Sequence, residues 1–209
     1  MVDSAHLIVF FGAALLLAIA PGPGMLYVLA RSLAGGRREG LLSALGTFCG
    51  GLVHVLAAAA GISIILAKSA IAFATVKYLG AAYLCFLGIR MILEARNDEP
   101  ISLADLRQRS SPFWQGIMTE ALNPKTALFF LSFIPQFVNR GQGHIFLQFV
   151  FLGTFSVALN TTADIAVTLL AGPLGERIRG SARFRRRQRT LTGAIMIGLG
   201  SYLALGESK

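Results

Sequence analysis

Long apolar stretches without a formal charge dominate the pattern of this chain. Residues 5–30 and 41–66 each run 26 residues without Asp, Glu, Lys or Arg, and residues 141–163 run 23. Because a membrane-spanning helix needs about 20 apolar residues, each of these stretches is long enough to cross a bilayer. Three further stretches carry few charges, so the pattern predicts six spanning helices, at 5–30, 41–66, 69–94, 113–138, 141–163 and 190–206.

The composition agrees with a membrane protein. The chain is 55% hydrophobic and 14% charged, whereas a soluble domain has about 25% charged residues. The first stretch is predicted to be a retained span rather than a signal peptide, because Asp3 and His6, and no basic run, come before its apolar residues. Cys49 and Cys85 fall in different predicted spans, so we expect no disulfide, no metal site and no cofactor.

The basic residues alternate between successive predicted loops. Fourteen of the 19 Lys and Arg lie in or beside the first, third and fifth loops, four lie on the other side, and Lys125 falls within a predicted span. Because Lys and Arg accumulate in cytoplasmic loops, both termini are predicted to lie outside a cytoplasmic (inner) membrane. The run RFRRRQR at 183–189 is therefore predicted to be a cytoplasmic loop beside anionic lipid, and nucleic-acid binding is not expected.

The longest polar segment divides the predicted spans into two groups of three. A unit of three spans begins and ends on opposite sides of the membrane, so a second copy is inserted upside down, as in many transporters. The predicted fold is thus an all-α integral membrane protein with six transmembrane helices arranged as two inverted three-helix repeats. The units are a first repeat at 1–94, a cytoplasmic linker at 95–112 and a second repeat at 113–209.

Two sequence features predict how these helices pack. The third span carries Gly80 and Gly88 and the sixth carries Gly193 and Gly200, in both cases about two turns apart. Small residues at such spacing allow helices to approach closely in lipid, so these two spans are predicted to use them as packing surfaces. The aromatic-rich segment FFLSFIPQF at 129–137 is predicted to face lipid.

The first and fourth predicted spans each carry a helix breaker near the middle. Proline removes one N–H and clashes with the carbonyl four residues earlier, so Pro21 frees the carbonyl of Leu17 and Pro124 frees that of Glu120. In hydrocarbon an unpaired backbone group costs several kcal/mol, so it must face a partner or water. The breakers are Pro21, Gly22, Pro23 and Gly24 in the first span and Asn123, Pro124 and Lys125 in the fourth.

These breaks have the chemistry of a binding site for a zwitterion. Where a helix restarts, its first N–H groups carry partial positive charge. Asn123 suits the N-cap and Pro124 the first helical position, while Lys125 adds a full positive charge. The breaks together offer donors for a carboxylate and bare carbonyls for an ammonium, the two groups of an amino acid. The alternative is a pair of packing kinks without a ligand.

Few ionisable side chains lie inside the predicted spans, and each is a functional candidate because burying charge in lipid is expensive. Asp164 lies one turn after Asn160, so the two share a helix face, with Asn160 predicted to bind substrate and Asp164 a proton or the substrate ammonium. Glu120 and His54 are further proton-coupling candidates, and a hydrogen-bonded interhelical histidine is the alternative for His54. Lys125 is expected to find its partner on another helix, with Asp164 as the candidate.

Several segments resemble the LysE-type amino-acid exporters, and most closely their homoserine/threonine-efflux branch, RhtB. The segments APGPG and ALNPKTALFFLSFIPQFV carry most of the resemblance, and GTFCGGLVHVLAAAAGIS, KYLGAAYLCFLGIRMI and TADIAVTLLAG add to it. Almost the whole chain is covered. The resemblance implies an inner-membrane exporter of amino acids driven by proton motive force, with the two proline motifs central, and it permits a homodimer.

The resemblance also bears on the substrate. In the wider family that this chain resembles, the exporters of basic amino acids look to have one acidic residue shortly after the NP motif and another in the second span. Here residues 127–130 are apolar and His54 stands in the second span, which implies a neutral substrate such as threonine, homoserine, leucine or a homoserine lactone. A membrane-embedded enzyme and a passive channel are the alternatives. With no metal-ligand cluster and no nucleophile–base pair in the sequence, an enzyme with catalytic residues is not predicted.

Overall fold

The protein is described here by a computed structural model, which covers residues 4–68, 70–95, 111–139, 141, 143–171 and 182–205. All regular elements within these ranges are helical. The helices are α1 Ser4–Ile19, α2 Pro23–Lys68, α3 Ala70–Glu94, α4 Pro112–Ala121, α5 Pro124–Leu128, α6 Ile145–Leu169 and α7 Ala182–Leu205. Most of the predicted linker at 95–112 lies outside the described residues.

Three of the described helical stretches are long and apolar enough to cross a membrane: Pro23–Gly61, Ala74–Glu94 and Ile145–Leu169. Two shorter apolar helices, Ile8–Ile19 and Arg189–Leu205, accompany them. Many large apolar side chains point away from the protein interior, which suits a surface covered by lipid rather than water. The predicted all-helical membrane protein is confirmed at this level, and the arrangement of six spans as inverted repeats stays a prediction.

The first two predicted spans are joined without a loop. The first break separates α1 from α2 as expected, but the loop expected at 31–40 is helical on both sides of a single kink at Gly36. Its φ of 76° lies in the left-handed region that favours glycine. Ser32 and Gly40 would be about 12 Å apart along a straight helix. A Cβ on Gly40 would nevertheless collide with the Ser32 hydroxyl, so α2 folds back on itself at Gly36.

The fourth predicted span is interrupted where the sequence placed its breaker. Helix α4 ends at Ala121, and α5 restarts at Pro124 with Asn123 as its N-cap. The Asn123 side chain accepts a hydrogen bond from the Lys125 backbone N–H at 3.1 Å, the geometry for which N-cap asparagines are favoured. The helix continues through a π-helical turn at Phe129–Phe133 and a 3₁₀ turn at Ile134–Phe137.

The prediction that residues 129–137 face lipid is wrong. Within this segment, Phe129, Phe130, Phe133 and Phe137 are each at most 6% exposed. They belong to the main hydrophobic core, where the ring of Phe137 lies 5.3 Å from that of Phe10. Their positions repeat at helical spacing, so these rings lie on one face of the helix, and that face packs against the other helices rather than against lipid.

Glycines bring helices into close contact at two crossings, one of which, between α3 and α7, the sequence predicted. Helix α3 packs on α7 where Gly88 and Gly193 face each other: a Cβ on Gly88 would lie 2.5 Å from the Gly193 carbonyl oxygen, and a Cβ on Gly193 would collide with that of Gly88. Helix α2 packs on α4 in the same way, because the Cα of Gly46 lies 3.0 Å from a Cβ built on Gly116. Backbone therefore meets backbone at both crossings.

Replacing Gly193 with alanine is expected to lower stability. The added methyl would meet backbone that cannot move without separating α3 from α7, and overpacking of this kind costs about 1–3 kcal/mol. Gly198→Ala on the same helix is the matched control, because a Cβ there meets nothing within 4 Å. Thermal unfolding of both variants in detergent measures the difference. Equal midpoints for the two variants would show that the crossing is looser than described.

Candidate functional site

The two helix breaks meet through the side chain of Lys125. Its Nζ donates to the carbonyl oxygen of Leu17 at 2.9 Å and to that of Ala20 at 2.6 Å. The Leu17 carbonyl is the group that Pro21 frees, so a cation from one broken helix pairs with the exposed backbone of the other. Gly22 makes the approach possible, because even a Cβ at this position would lie only 3.0 Å from the Lys125 Cδ.

The carbonyl freed by the second break is also paired. His54 Nε2 lies 2.8 Å from the Glu120 carbonyl oxygen, which Pro124 leaves without its helical donor. Because a carbonyl can only accept, His54 carries its proton on Nε2 in this contact. The histidine therefore takes the interhelical hydrogen bond that the sequence offered as its alternative role.

The Glu120 carboxylate bridges the second break. One oxygen accepts from the Asn123 amide at 3.1 Å and the other from the Thr126 hydroxyl at 2.6 Å. The side chain is 2% exposed, and a Cβ on Gly24 would collide with it. Glu120 thereby joins the end of α4 to the start of α5 and packs against the first break.

Asp164 is fully buried on α6 beside the same region. Its Oδ2 accepts from the Thr47 hydroxyl at 2.9 Å, and its Oδ1 has no hydrogen-bond partner among the described residues. The expectation that Lys125 pairs with another helix holds, but its partners are the α1 carbonyls, and the candidate pairing with Asp164 is not formed. A buried carboxyl oxygen without a partner among the described residues is unusual, which keeps Asp164 among the candidate site residues.

A small cavity lies between the two breaks and α6. Its volume is about 30 Å³, where a water molecule needs roughly 10–15 Å³, so it has room for water but not for an amino acid. Of the residues that the sequence singled out, six line it: Gly22, Gly24, Glu120, Asn123, Lys125 and Asn160. Asp164 and His54 do not line the cavity, but each contacts a residue that does: Asp164 accepts a hydrogen bond from Thr47, and His54 donates to the Glu120 carbonyl. The site is therefore closed in this structure.

A larger cavity of about 190 Å³ lies against the other side of the breaks. Pro21, Pro23 and Pro124 line it, so all of the predicted proline motifs face one cavity or the other. Gly22, Asn123 and Lys125 line both cavities and form the wall between them.

A family model described as LysE type translocator matches residues 15–207. The chain belongs to the LysE type translocator family. An uncharacterized membrane protein of Pseudomonas aeruginosa is 36% identical to this translocator over 197 residues, covering 89% of this chain and 88% of the relative. Uncharacterized membrane proteins of Vibrio cholerae and Bacillus subtilis are each 30% identical, covering 93% of this chain and 94% and 96% of their own lengths. No solved structure matches the chain.

Membership of this family implies an exporter of amino acids or similar solutes, and the family comprises transporters rather than enzymes. The relatives are likewise named as membrane proteins, which agrees with the apolar helices of this LysE translocator. The resemblance to the LysE-type exporters that the sequence motifs carried is thus confirmed at the level of the family.

Sequence reasoning missed three polar residues near the site of this LysE translocator. Thr47 and Thr126 hold the buried carboxyl groups of Asp164 and Glu120, and Ser156 lines the smaller cavity. Threonine and serine are common in spanning helices, where they often bond to their own backbone, so residue type alone gave no signal. Pairing with a carboxyl group across helices distinguishes Thr47 and Thr126, whereas Ser156 donates to the Leu152 carbonyl of its own helix.

Arg31 was expected in a cytoplasmic loop, but it is buried and lies within helix α2. Arg31 is 3% exposed, forms a 3.2 Å ion pair with Glu39 and donates to the side chain of Gln115. Nearby, the Tyr27 hydroxyl donates to the Pro112 carbonyl oxygen at 2.8 Å. Because a buried guanidinium needs such partners, these contacts fasten both arms of α2 to the start of α4.

Proposed function

We propose that this LysE translocator exports small neutral amino acids or their derivatives, such as threonine, homoserine or leucine, in the manner of the RhtB branch. We also propose that export is coupled to the proton motive force across the cytoplasmic membrane. The observation that carries the proposal is the contact of the Lys125 ammonium with the carbonyls of Leu17 and Ala20.

This contact has the chemistry that an amino acid needs. The α-ammonium of a substrate can take the place of the Lys125 ammonium at the two carbonyls. The released lysine and the donors around the second break can then bind the α-carboxylate with charge-assisted hydrogen bonds. Unwound backbone and half-helix ends at paired breaks serve substrates in this way in other transporter folds. Substrate binding would thus exchange one set of ionic contacts for another.

The lining of the smaller cavity favours a neutral side chain. Glu120 and Lys125 are the charged residues among its described lining, and both oxygens of Glu120 already accept hydrogen bonds. No further carboxylate lines this part of the described structure to receive a second cation. A lysine or arginine substrate would bring an unpaired charge into a buried site, which is costly.

Asp164 is the residue that we propose to couple export to protons. Among the described residues its Oδ1 has no hydrogen-bond partner. Asp164 lies one helical turn after Asn160, which lines the smaller cavity, so a proton gained or lost by Asp164 would be close to a bound substrate. Glu120 and His54 are weaker candidates, because each already makes hydrogen bonds that hold the second break together.

We also propose six spans with both termini outside, arranged as two inverted three-helix repeats at 1–94 and 113–209, and reciprocal contacts support the repeats. A Cβ on Gly88 would meet Ile197, and a Cβ on Gly193 would meet Ile92; Gly51 faces Val157 and Gly153 faces Val55. Such exchange of partners is what a pseudo-two-fold axis between halves produces. A homodimer is compatible with this arrangement.

The proposed function is tested by export from proteoliposomes loaded with a panel of labelled amino acids, with and without an uncoupler. We expect saturable export of neutral amino acids, little export of lysine or arginine, and loss of net export when the uncoupler collapses the proton gradient. Recovery of chemically unchanged solute argues against an enzyme, and exchange of labelled for unlabelled substrate argues against a passive channel. Export that ignores the uncoupler would remove proton coupling from the proposal.

A further inference from the structure

The larger cavity has a two-part lining that the proposed transport site does not use. One part is apolar and is made by Leu26, Leu87, Met91 and Met196. The other part is an ion pair at the rim, where Arg90 Nε donates to Glu94 Oε1 at 2.6 Å. A space of about 190 Å³ holds on the order of ten waters, a volume comparable with that of a leucine molecule.

The position of this cavity places it before the transport site on an export route. Glu94 is the last residue of α3 and Arg90 lies one turn before it, at the end that the charge pattern assigns to the cytoplasm. The inner end of the cavity is the wall of Gly22, Asn123 and Lys125, and behind that wall lies the smaller cavity. A solute in the larger cavity is therefore separated from the transport site by the Lys125 side chain and its neighbours.

We infer that the larger cavity is a loading site for an α-amino acid with an apolar side chain, which occupies it before crossing the wall formed by Lys125. The inference rests on the proposed function and adds a binding site and a preference for the side chain. A zwitterion carries an anion and a cation a few bonds apart, which matches the adjacent Arg90 guanidinium and Glu94 carboxylate.

Each recognition contact has a physical basis in the described residues. The Arg90 guanidinium can bind the α-carboxylate with two parallel hydrogen bonds, and Glu94 can accept from the α-ammonium. Both side chains are more than half exposed, and an exposed ion pair contributes little to stability, so opening it for a ligand costs little. The thioether side chains of Met91 and Met196 adapt to apolar groups of different shape.

The first test fills the cavity. Met91→Trp places a large ring in the space, and Leu93→Trp adds the same ring two residues away on α3, where the side chain is 63% exposed and lines neither cavity. Leucine transport is measured in inside-out membrane vesicles, which present the cytoplasmic face to the medium. We expect Met91→Trp to raise the KM for leucine about tenfold, the loss of roughly one good binding contact, while Leu93→Trp leaves it unchanged.

The second test separates recognition from a structural role of the ion pair. The double variant Arg90→Glu/Glu94→Arg keeps the pair and gives it the order that is better on a helix, so the protein should remain folded. It reverses the two charges relative to the apolar lining. We expect its KM for leucine to rise about tenfold as for the filled cavity, with the maximal rate retained. A KM equal to that of the wild type would assign the pair to helix stability alone and overturn the inference.

A zwitterionic lipid headgroup shares the chemistry of the proposed ligand, so both tests are repeated in vesicles with and without phosphatidylethanolamine. Effects on KM that are independent of this lipid support an amino-acid site, and effects that appear only with the lipid overturn it. If the wild-type protein exports leucine and none of the variants changes KM, the loading site is refuted and the proposed function stands. If the wild-type protein exports no amino acid, both are refuted.

Discussion

Replacing Lys125 with alanine is expected to reduce export at least about a hundredfold, the effect of losing more than one charge-assisted hydrogen bond. The substitution removes the cation that would receive the substrate carboxylate. It also leaves the carbonyls of Leu17 and Ala20 without the donor that now lies 2.9 and 2.6 Å away. The measurement is uptake or release of a labelled neutral amino acid by proteoliposomes, together with the amount of protein inserted.

Two further variants separate charge from packing at this position. Lys125→Met keeps an unbranched side chain of similar length beside Gly22 but lacks the ammonium, so it should be as inactive as the alanine variant. Arg186→Ala is the matched removal of a cation from the exposed start of α7 and should transport normally. Wild-type export by Lys125→Met would refute the role of the ammonium and, with it, the proposed transport site.

Asp164→Asn is expected to separate export from its driving force. The amide has the shape of the carboxyl group and can still accept the hydrogen bond from Thr47, now 2.9 Å long, but it cannot gain or lose a proton. Net export driven by a pH gradient should fall at least about tenfold, because a general proton-transfer group contributes 10²–10⁴-fold where it is essential. Exchange of labelled for unlabelled substrate, which needs no net proton movement, should persist.

The two assays are run on the same proteoliposomes, so that a folding defect lowers both. Thr47→Ser serves as the control, because it retains a hydroxyl to donate to Asp164. A variant that loses both activities would indicate a structural role for Asp164. Gradient-driven export that survives Asp164→Asn would move the proton to Glu120 or His54.

The helix breaks could be predicted from the sequence because their causes are local. Proline lacks the N–H that a helix needs and excludes the carbonyl four residues earlier, whatever surrounds it. The sequence therefore identified the carbonyls of Leu17 and Glu120 as those left without a helical donor. It could not identify their donors, Lys125 and His54, because these lie 108 and 66 residues away and only the tertiary packing brings them together.

Other features depended on geometry that charge and hydropathy do not encode. Residues 31–40 combine charges and glycines, the usual signs of a loop, but a single left-handed glycine at 36 is enough to reverse the chain. The run at 183–189 was expected to form a loop and instead lies within α7, because arginine is a good helix former. The lipid-facing prediction for residues 129–137 failed because hydropathy does not distinguish an apolar helix face that packs on other helices from one that contacts lipid.

The contact of Lys125 with the first break has a consequence for the affinity of the proposed site for its substrate. In the empty site the Lys125 ammonium already pairs with the carbonyls of Leu17 and Ala20. A substrate ammonium would therefore gain at these carbonyls only the difference between its own contacts and those it displaces. Under the proposed function we therefore expect such a site to bind weakly and to release easily. Export would become substantial only once the solute is abundant, and a scarce solute would stay in the cell.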